Sequence, residues 1–105
     1  MVKGNIVLIS FPFTDLIGSK LRPALVLFES ELDLTSCFIT SHLAWQEPND
    51  IVISPNKING IKARSLIRTN KIATIDRSLA KGLLGRLTSN EILQLNFRLR
   101  NLLDL

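Results

Sequence analysis

Arg22, which stands between a polar loop and a proline, is the residue of this chain best suited to bind a phosphate group. Pro23 has a fixed φ, and its ring pushes the preceding residue toward an extended conformation. The Arg22 guanidinium should therefore be held at the mouth of an apolar strand, and its fork of N–H donors matches phosphate oxygens. The segment predicts an anion site. A surface arginine paired with a carboxylate is the structural alternative.

Thr40, Ser41 and His42 stand together at the end of another apolar run. The hydroxyls of Thr40 and Ser41 can donate hydrogen bonds, and the imidazole of His42 is the side chain that exchanges protons most readily near neutral pH. If the strand reaches His42, the side chains of Thr40 and His42 share one face. These three residues are candidate catalytic groups. The alternatives are an ordinary strand threonine, a turn serine and a structural histidine.

Cationic and aromatic side chains elsewhere could follow a nucleic-acid strand. The formal net charge is +4 and the pI is about 9.7, which permits nucleic-acid binding without requiring it. Aromatic rings can stack on unpaired bases, although each could equally be a core residue, a loop anchor or a protein contact. The candidates for the backbone are Lys20, Ser19, Lys62, Arg64, Arg68 and Lys71, and those for the bases are Phe11, Phe13 and Trp45.

The size and composition of the chain suit one compact domain, residues 1–105. Cys37 is the single cysteine, which excludes an internal disulfide and a cysteine-based zinc cluster, and its apolar neighbours predict a buried thiol. No segment approaches the roughly 20 apolar residues of a membrane helix. No signal peptide is recognisable. We therefore expect a cytoplasmic protein without a membrane partner.

Short apolar runs separated by turn residues predict a mainly β chain. A capping box at Thr88 and Glu91, followed by leucines at helical spacing, predicts a C-terminal helix over about 89–103. Asp76 is predicted to cap a turn. The elements together favour a small antiparallel barrel or curled sheet. The predicted strands are Ile6–Phe11, Ala24–Glu29, Ser36–His42, Asp50–Ile53, Ser65–Thr69, Lys71–Asp76 and Leu83–Leu87.

Three ordered segments carry a resemblance to a known family: GNIVLIS with FPFTDLIGSKLRPALVL (4–27), CFITS (37–41) and SLIRTNKIATID (65–76). Together they cover most of the chain, and the chain is similar to MazF/PemK-type toxins of type II toxin–antitoxin systems. The resemblance implies an SH3-like barrel of the MazF/PemK/CcdB type. It also implies a homodimer and neutralisation by a cognate antitoxin protein.

The resemblance further implies an endoribonuclease that cleaves single-stranded RNA with no metal and no cofactor, through attack by the substrate's own 2′-hydroxyl. Arg22 matches the family's catalytic arginine, and Thr40, or else Ser41, matches its threonine or serine. His42 is not part of the resemblance. Asn5 stands where the family commonly has aspartate; if that carboxylate orients an arginine, the pairing is weaker here. Loop 12–21 is the expected gate over the RNA.

Two other functions remain open at this point. SH3-like barrels host many unrelated activities, so a barrel with a basic face could bind nucleic acid or protein and cleave nothing. A toxin directed at gyrase, which would share the fold, is the third possibility. The Arg22-Pro23 and Ile39-Thr40-Ser41 matches favour the ribonuclease.

Overall fold

The chain folds as one antiparallel sheet followed by a helix. The structure, a computed structural model, describes residues 1–11 and 20–105, without the side chains of Phe11 and Lys20. The elements are β1 (Asn5–Phe11), β2 (Lys20–Glu29), β3 (Asp33–Thr40), β4 (Ile51–Ile53), β5 (Ser65–Asp76), β6 (Ala80–Arg86) and α1 (Ser89–Leu103), with 3₁₀ turns at Leu43–Trp45 and Arg77–Leu79. The sheet order is β4-β5-β3-β2-β1-β6, and the prediction of a mainly β fold with a C-terminal helix is confirmed.

The sheet is open rather than a closed barrel. In the described part of the chain its edge strands, β4 and β6, do not pair with each other, and β4 has only three residues. The segment 54–64 lies against β6 instead: the Arg86 N–H donates to the Ile58 carbonyl at 3.1 Å. A Cβ on Gly85 would come within 2.2 Å of that same Ile58 oxygen. Only glycine at position 85 lets the segment 54–64 approach so closely. The segment lies where a strand would be needed to close the barrel.

The two faces of the sheet carry separate hydrophobic clusters, because successive strand residues point to opposite sides. The helix-side cluster contains Leu95 of α1, and the second cluster contains no helix residue. The helix-side cluster consists of Ile6, Leu25, Cys37, Ile39, Ile51, Ile53, Ile61, Ile67, Leu87 and Leu95. The second consists of Val7, Ile9, Ala24, Val26 and Leu34, with Phe38, Ile75, Leu79 and Ala80 packed beside it.

Helix α1 begins at the predicted capping box. The Thr88 hydroxyl accepts from the Glu91 N–H at 3.2 Å, and the Glu91 carboxylate accepts from the Thr88 N–H at 2.8 Å. Both bonds satisfy N–H groups that a helix start otherwise leaves unpaired. No helix in the described ranges is long and apolar enough to cross a membrane.

Strand β5 is one continuous strand where the sequence predicted two. Its register against β3 jumps between Cys37↔Ile72 and Phe38↔Arg68, so residues 69–71 bulge out. A bulge keeps the strand intact while it redirects side chains. Strand β3 ends at Thr40, not at His42, because His42 already precedes the 3₁₀ turn at Leu43–Trp45.

Asp76 caps the second 3₁₀ turn, as predicted. Its carboxylate accepts from the Ser78 N–H at 2.8 Å. This bond favours the ionised form and holds the pKa of Asp76 below its usual range. Asp76 therefore stabilises a turn far from the residues that could bind an anion.

Candidate functional site

The candidate site lies where strands β2 and β3 separate. Their ladder ends at Ala24↔Phe38, one residue from Pro23, which has no N–H to donate. Strand β2 nevertheless stays paired with β1 as far as Lys20. The two strand ends diverge as a result, and a cavity opens on each side of the split. Both cavities are lined by Arg22, Pro23, Ile39 and Thr40.

The larger cavity, about 390 Å³ in volume, collects most of the predicted site residues. It lies on the side of the second cluster, because its wall includes Phe38. Six predicted residues meet here: Arg22, Thr40, His42, Trp45, Arg68 and Lys71. Trp45 completes the wall. This cavity therefore combines cationic groups, a hydroxyl and aromatic rings.

The smaller cavity, about 340 Å³, lies toward the helix-side cluster and contains Ser41 and Lys62. Ile61 and Leu84 form part of its wall. Arg64 is exposed and lines neither cavity. The predicted residues Ser19 and Phe13, the rest of the expected gate at 12–19, and the side chain of Lys20 lie outside what the structure describes.

Arg22 and Thr40 lie on the same face of adjacent strands. If the β2–β3 register continued past Ala24↔Phe38 by two residues, Arg22 would stand opposite Thr40. The Arg22 side chain is exposed, and no carboxylate of residues 1–11 and 20–105 forms an ion pair with it. The Thr40 hydroxyl accepts from the His42 backbone N–H at 3.2 Å. Its own proton remains available to donate into the cavity.

Arg68 lines the larger cavity, yet two carboxylates already balance its charge. One guanidinium nitrogen lies 2.7 Å from a Glu47 carboxylate oxygen, and Nε lies 3.8 Å from Asp50. The Arg68 side chain is 14% exposed. In the described ranges, Lys71 has no such carboxylate partner. The cavity is therefore more positive at Arg22 and Lys71 than at Arg68.

The bulge of β5 anchors the segment that carries Trp45. The Thr69 hydroxyl donates to the Asn49 carbonyl at 2.8 Å, and the Asn70 amide donates to Glu47 at 2.9 Å. Arg98 of α1 donates to the Pro48 carbonyl at 2.8 Å. The segment between His42 and β4 is thus fixed to the sheet and to the helix although it has little regular structure.

His42 and Trp45 form a stacked pair at the rim of the larger cavity. Their ring centroids lie 4.4 Å apart, and the planes differ by 13°. The Arg68 guanidinium carbon lies 5.7 Å from the Trp45 ring centroid, within the range of a cation–π contact. The imidazole is therefore turned toward an aromatic partner, which the strand spacing had not predicted.

Asn5 stands at the opposite end of β1 from Arg22. Asn5 pairs with Arg86, whereas Arg22 pairs with Ile9, four residues further along β1. The Asn5 side chain accepts from the Val2 N–H at 2.9 Å and closes the N-terminal turn. Asn5 therefore lies away from Arg22, and the arginine nearest to it across the strands is Arg86.

Cys37 is the buried thiol that the sequence predicted. Burial, and to a lesser degree the Asp50 carboxylate, raises the pKa of Cys37 from 9.0 to about 12. A thiol with such a pKa stays protonated and unreactive at neutral pH. Among the described residues, no three carboxylate, imidazole or thiol side chains come together as a metal site.

Glu47 and Asp50 are the site residues that the sequence did not reveal. Glu47 meets Arg68 across 21 positions of the chain. The order Gln46-Glu47-Pro48 indicates only a loop. A pattern in the neighbouring residues could not have shown this pairing, because it depends on the bulge in β5.

A profile of the PemK-like, MazF-like toxins of type II toxin–antitoxin systems matches residues 2–103. The chain belongs to this family. The predicted membership is confirmed, and the match spans both cavities and every strand. No curated protein matches the chain in a sequence comparison.

Solved structures share the fold at low sequence identity. The toxin MazF-mt6 of Mycobacterium tuberculosis superposes with a TM-score of 0.77 at 20% identity, over 96% of this chain and 97% of that one. A mycobacterial endoribonuclease in complex with its cognate antitoxin gives 0.78 at 14%, over 100% and 96%. A MazE–MazF complex from Deinococcus radiodurans gives 0.74 at 23%, over 100% and 97%. The family fold is thus retained in this chain from end to end.

Proposed function

We propose that this toxin is an endoribonuclease that cleaves single-stranded RNA, messenger RNA above all, at the split between β2 and β3. The observation that carries the proposal is the meeting of Arg22 with Thr40 at one cavity wall. Family membership and the fold shared with proteins described as endoribonucleases support it.

The proposed reaction needs no cofactor and no metal ion. The substrate's 2′-oxygen attacks the adjacent phosphorus, the bond from phosphorus to the 5′-oxygen breaks, and a 2′,3′-cyclic phosphate and a 5′-hydroxyl result. The 2′ proton passes to a base, and the leaving 5′-oxygen takes a proton from an acid. Arg22 would stabilise the charge on the phosphoryl oxygens in the transition state. The Thr40 hydroxyl would donate to one of the same oxygens.

His42 is the candidate for a proton transfer, and Ser41 is the alternative to Thr40 for holding the phosphate or the attacking group by a hydrogen bond. His42 shares the larger cavity with Arg22 and Thr40, so its imidazole could exchange a proton with the 2′-hydroxyl or the leaving oxygen. Ser41 lines only the smaller cavity. We therefore place His42 on the side of the larger cavity and Ser41 on the other side of the scissile phosphate.

The RNA backbone would run from Lys71 in the larger cavity past Arg22 to Lys62 in the smaller one. Lys20, Ser19 and Phe13 would contribute from the loop that precedes Arg22, and Arg64 would meet the strand outside the cavities. Arg68 would contribute mainly by holding the cavity wall, because Glu47 and Asp50 balance its charge. Each phosphate contact releases counterions, so binding should weaken as salt rises.

The proposed partners are RNA, a second copy of the chain and a cognate antitoxin. An antitoxin with an acidic segment would compete with RNA for the cationic cavity, and its association should be fastest at low salt. Phe28 and Leu83 project exposed apolar side chains from the sheet, and a second copy could cover such residues. We expect a homodimer in the cytoplasm that arrests growth when the antitoxin is lost.

Purified toxin incubated with end-labelled single-stranded RNA in EDTA tests the proposed function. We expect fragments with cyclic-phosphate ends, and a loss of about 100- to 1,000-fold in rate for Arg22→Ala. Arg100→Ala is the matched control, because Arg100 is an exposed arginine of α1 that lines neither cavity. Intact RNA together with salt-sensitive binding would instead identify a binding module without catalysis.

A further inference from the structure

The larger cavity has an aromatic wall, and the Trp45 ring in this wall takes no part in the proposed phosphate chemistry. This wall is the His42–Trp45 pair. We propose that the pair forms a stacking site, here called the base seat, for one unpaired RNA base, next to the phosphate held by Arg22. This inference rests on the proposed function and adds to it the recognition of the base.

The geometry of the pair suits stacking. Two parallel rings 4.4 Å apart already form the beginning of a column, and Trp45 remains 54% exposed. A nucleobase can extend such a column, because every base has a π-face. The column stands in the same cavity as Arg22 and Lys71, so a base and its phosphate could be bound together.

The pair is held in place before any RNA arrives. Arg68 lies against Trp45 and is itself fixed by Glu47, and Asn70 donates to the same carboxylate. The Asn49 carbonyl accepts from Thr69. A ring that is already fixed loses little conformational entropy when a ligand stacks on it. The paired charges of Arg68 and Glu47 thus support the base seat and leave phosphate binding to Arg22.

The fluorescence of Trp45 can report base stacking without an added label, because the chain has one tryptophan and no tyrosine. The probe is a mixed-sequence 2′-O-methyl oligonucleotide of about 12 nucleotides, which the enzyme cannot cleave. Inorganic polyphosphate is the matched probe with phosphates and no bases. We expect the oligonucleotide to quench Trp45 emission at saturation, and polyphosphate to bind without quenching it.

Variants test the contribution of the rings to affinity, measured by anisotropy of a labelled 2′-O-methyl oligonucleotide. Trp45→Ala should weaken binding by roughly 5- to 100-fold, whereas Trp45→Phe, which retains a ring, should bind close to the parent. His42→Ala should weaken binding as well, and His42→Phe should restore it. Phe97→Ala is the matched control, because Phe97 is 61% exposed and lines neither cavity.

Equal quenching by both probes, or unchanged affinity in Trp45→Ala, would overturn the base seat. Cleavage of unmodified RNA, measured in parallel, separates this result from the fate of the proposed function. If the parent protein cleaves RNA and Trp45→Ala binds with unchanged affinity, the base seat is rejected and the proposed ribonuclease is retained. If the oligonucleotide quenches Trp45 emission and polyphosphate does not, but the parent protein does not cleave RNA, the base seat is retained and the proposed ribonuclease is rejected.

Discussion

One face of the sheet is covered by α1, and the other carries the larger cavity. On the covered face, Leu95 of the helix packs with strand residues such as Leu25 and Cys37, all with no exposed surface. On the open face, Phe38 is followed by Thr40, Arg22 lies across the split, and the cavity stands open to ligands. The same strands supply both faces, one residue after another.

This difference teaches that stability and binding can be separated within a single strand. Near the end of β3, Cys37 and Ile39 point to the helix and contribute buried apolar area, and Phe38 and Thr40 point away and supply an aromatic wall and a hydroxyl. Substitutions on the covered face should lower the free energy of unfolding. Substitutions at the cavity-lining positions of the open face should lower cleavage or affinity and leave that free energy nearly unchanged, whereas its buried cluster around Val26 also contributes to stability.

The largest effect is expected for Leu95→Ala, on the covered face. The substitution leaves a cavity at a fully buried position and should cost about 2–5 kcal/mol of the free energy of unfolding. Leu93→Ala, at a 66% exposed position of the same helix, is the control and should cost less than about 0.5 kcal/mol. Urea unfolding at one protein concentration measures both. Similar costs for the two variants would mean that the packing of α1 on the covered face contributes little to stability.

Features that depend on neighbouring residues were predictable from the sequence, and features that depend on distant residues were not. The helix was predictable to its ends, because its capping box joins residues only three positions apart. The extended conformation of Arg22 was predictable because proline acts on its immediate neighbour. The bulge in β5 and the Arg68–Glu47 pair were not, because both depend on how distant strands align. The prediction of a small antiparallel barrel or curled sheet is confirmed as an open, curled sheet, in which segment 54–64 lies against β6.

Thr40→Val tests the open face with the smallest change of shape. It removes the hydroxyl that would donate to a phosphoryl oxygen, and cleavage should fall by about 10- to 100-fold. The free energy of unfolding should change by less than about 1 kcal/mol, since only the bond from the His42 N–H is lost. The control is Thr74→Val, because that hydroxyl also makes one hydrogen bond, to Thr35 at 2.7 Å. A stability loss without a loss of cleavage would assign Thr40 to the fold alone.

Cys37 gives the covered face a dependence on alkaline pH. Its pKa is 9.0 in the unfolded chain and about 12 when folded, so ionisation favours the unfolded chain. The contribution of Cys37 to stability is full below pH 9 and is lost as pH rises from 9 toward 12. The loss at pH 10 should be about 1.4 kcal/mol.

Urea unfolding of the parent and of Cys37→Ala, each between neutral pH and about pH 10, isolates this effect. The variant starts from a lower stability at neutral pH but should lose less on going to alkaline pH. Parallel losses in the two proteins would mean that other groups determine the alkaline limit.

The smallest effect is expected for Lys71→Ala, on the open face. Removing one contact to an RNA phosphate should reduce the slope of log affinity against log salt by about 0.7, with a modest loss of affinity. Lys57→Ala is the control, since Lys57 is exposed on the segment 54–64 and lines neither cavity. Titrations of a 2′-O-methyl oligonucleotide at several salt concentrations measure both slopes. Identical slopes for the two variants would place Lys71 outside the path of the RNA.

Pro23 has a consequence for how the split between β2 and β3 stays open. Two neighbouring strands with free N–H and C=O groups tend to extend their hydrogen-bond ladder. Extension of the ladder between β2 and β3 would bring Arg22 directly against Thr40. Pro23 interrupts the ladder at its last pair and has no hydrogen to extend it. The missing N–H of Pro23 therefore limits further pairing of β2 with β3, and the gap between Arg22 and Thr40 is maintained by the covalent structure of the chain.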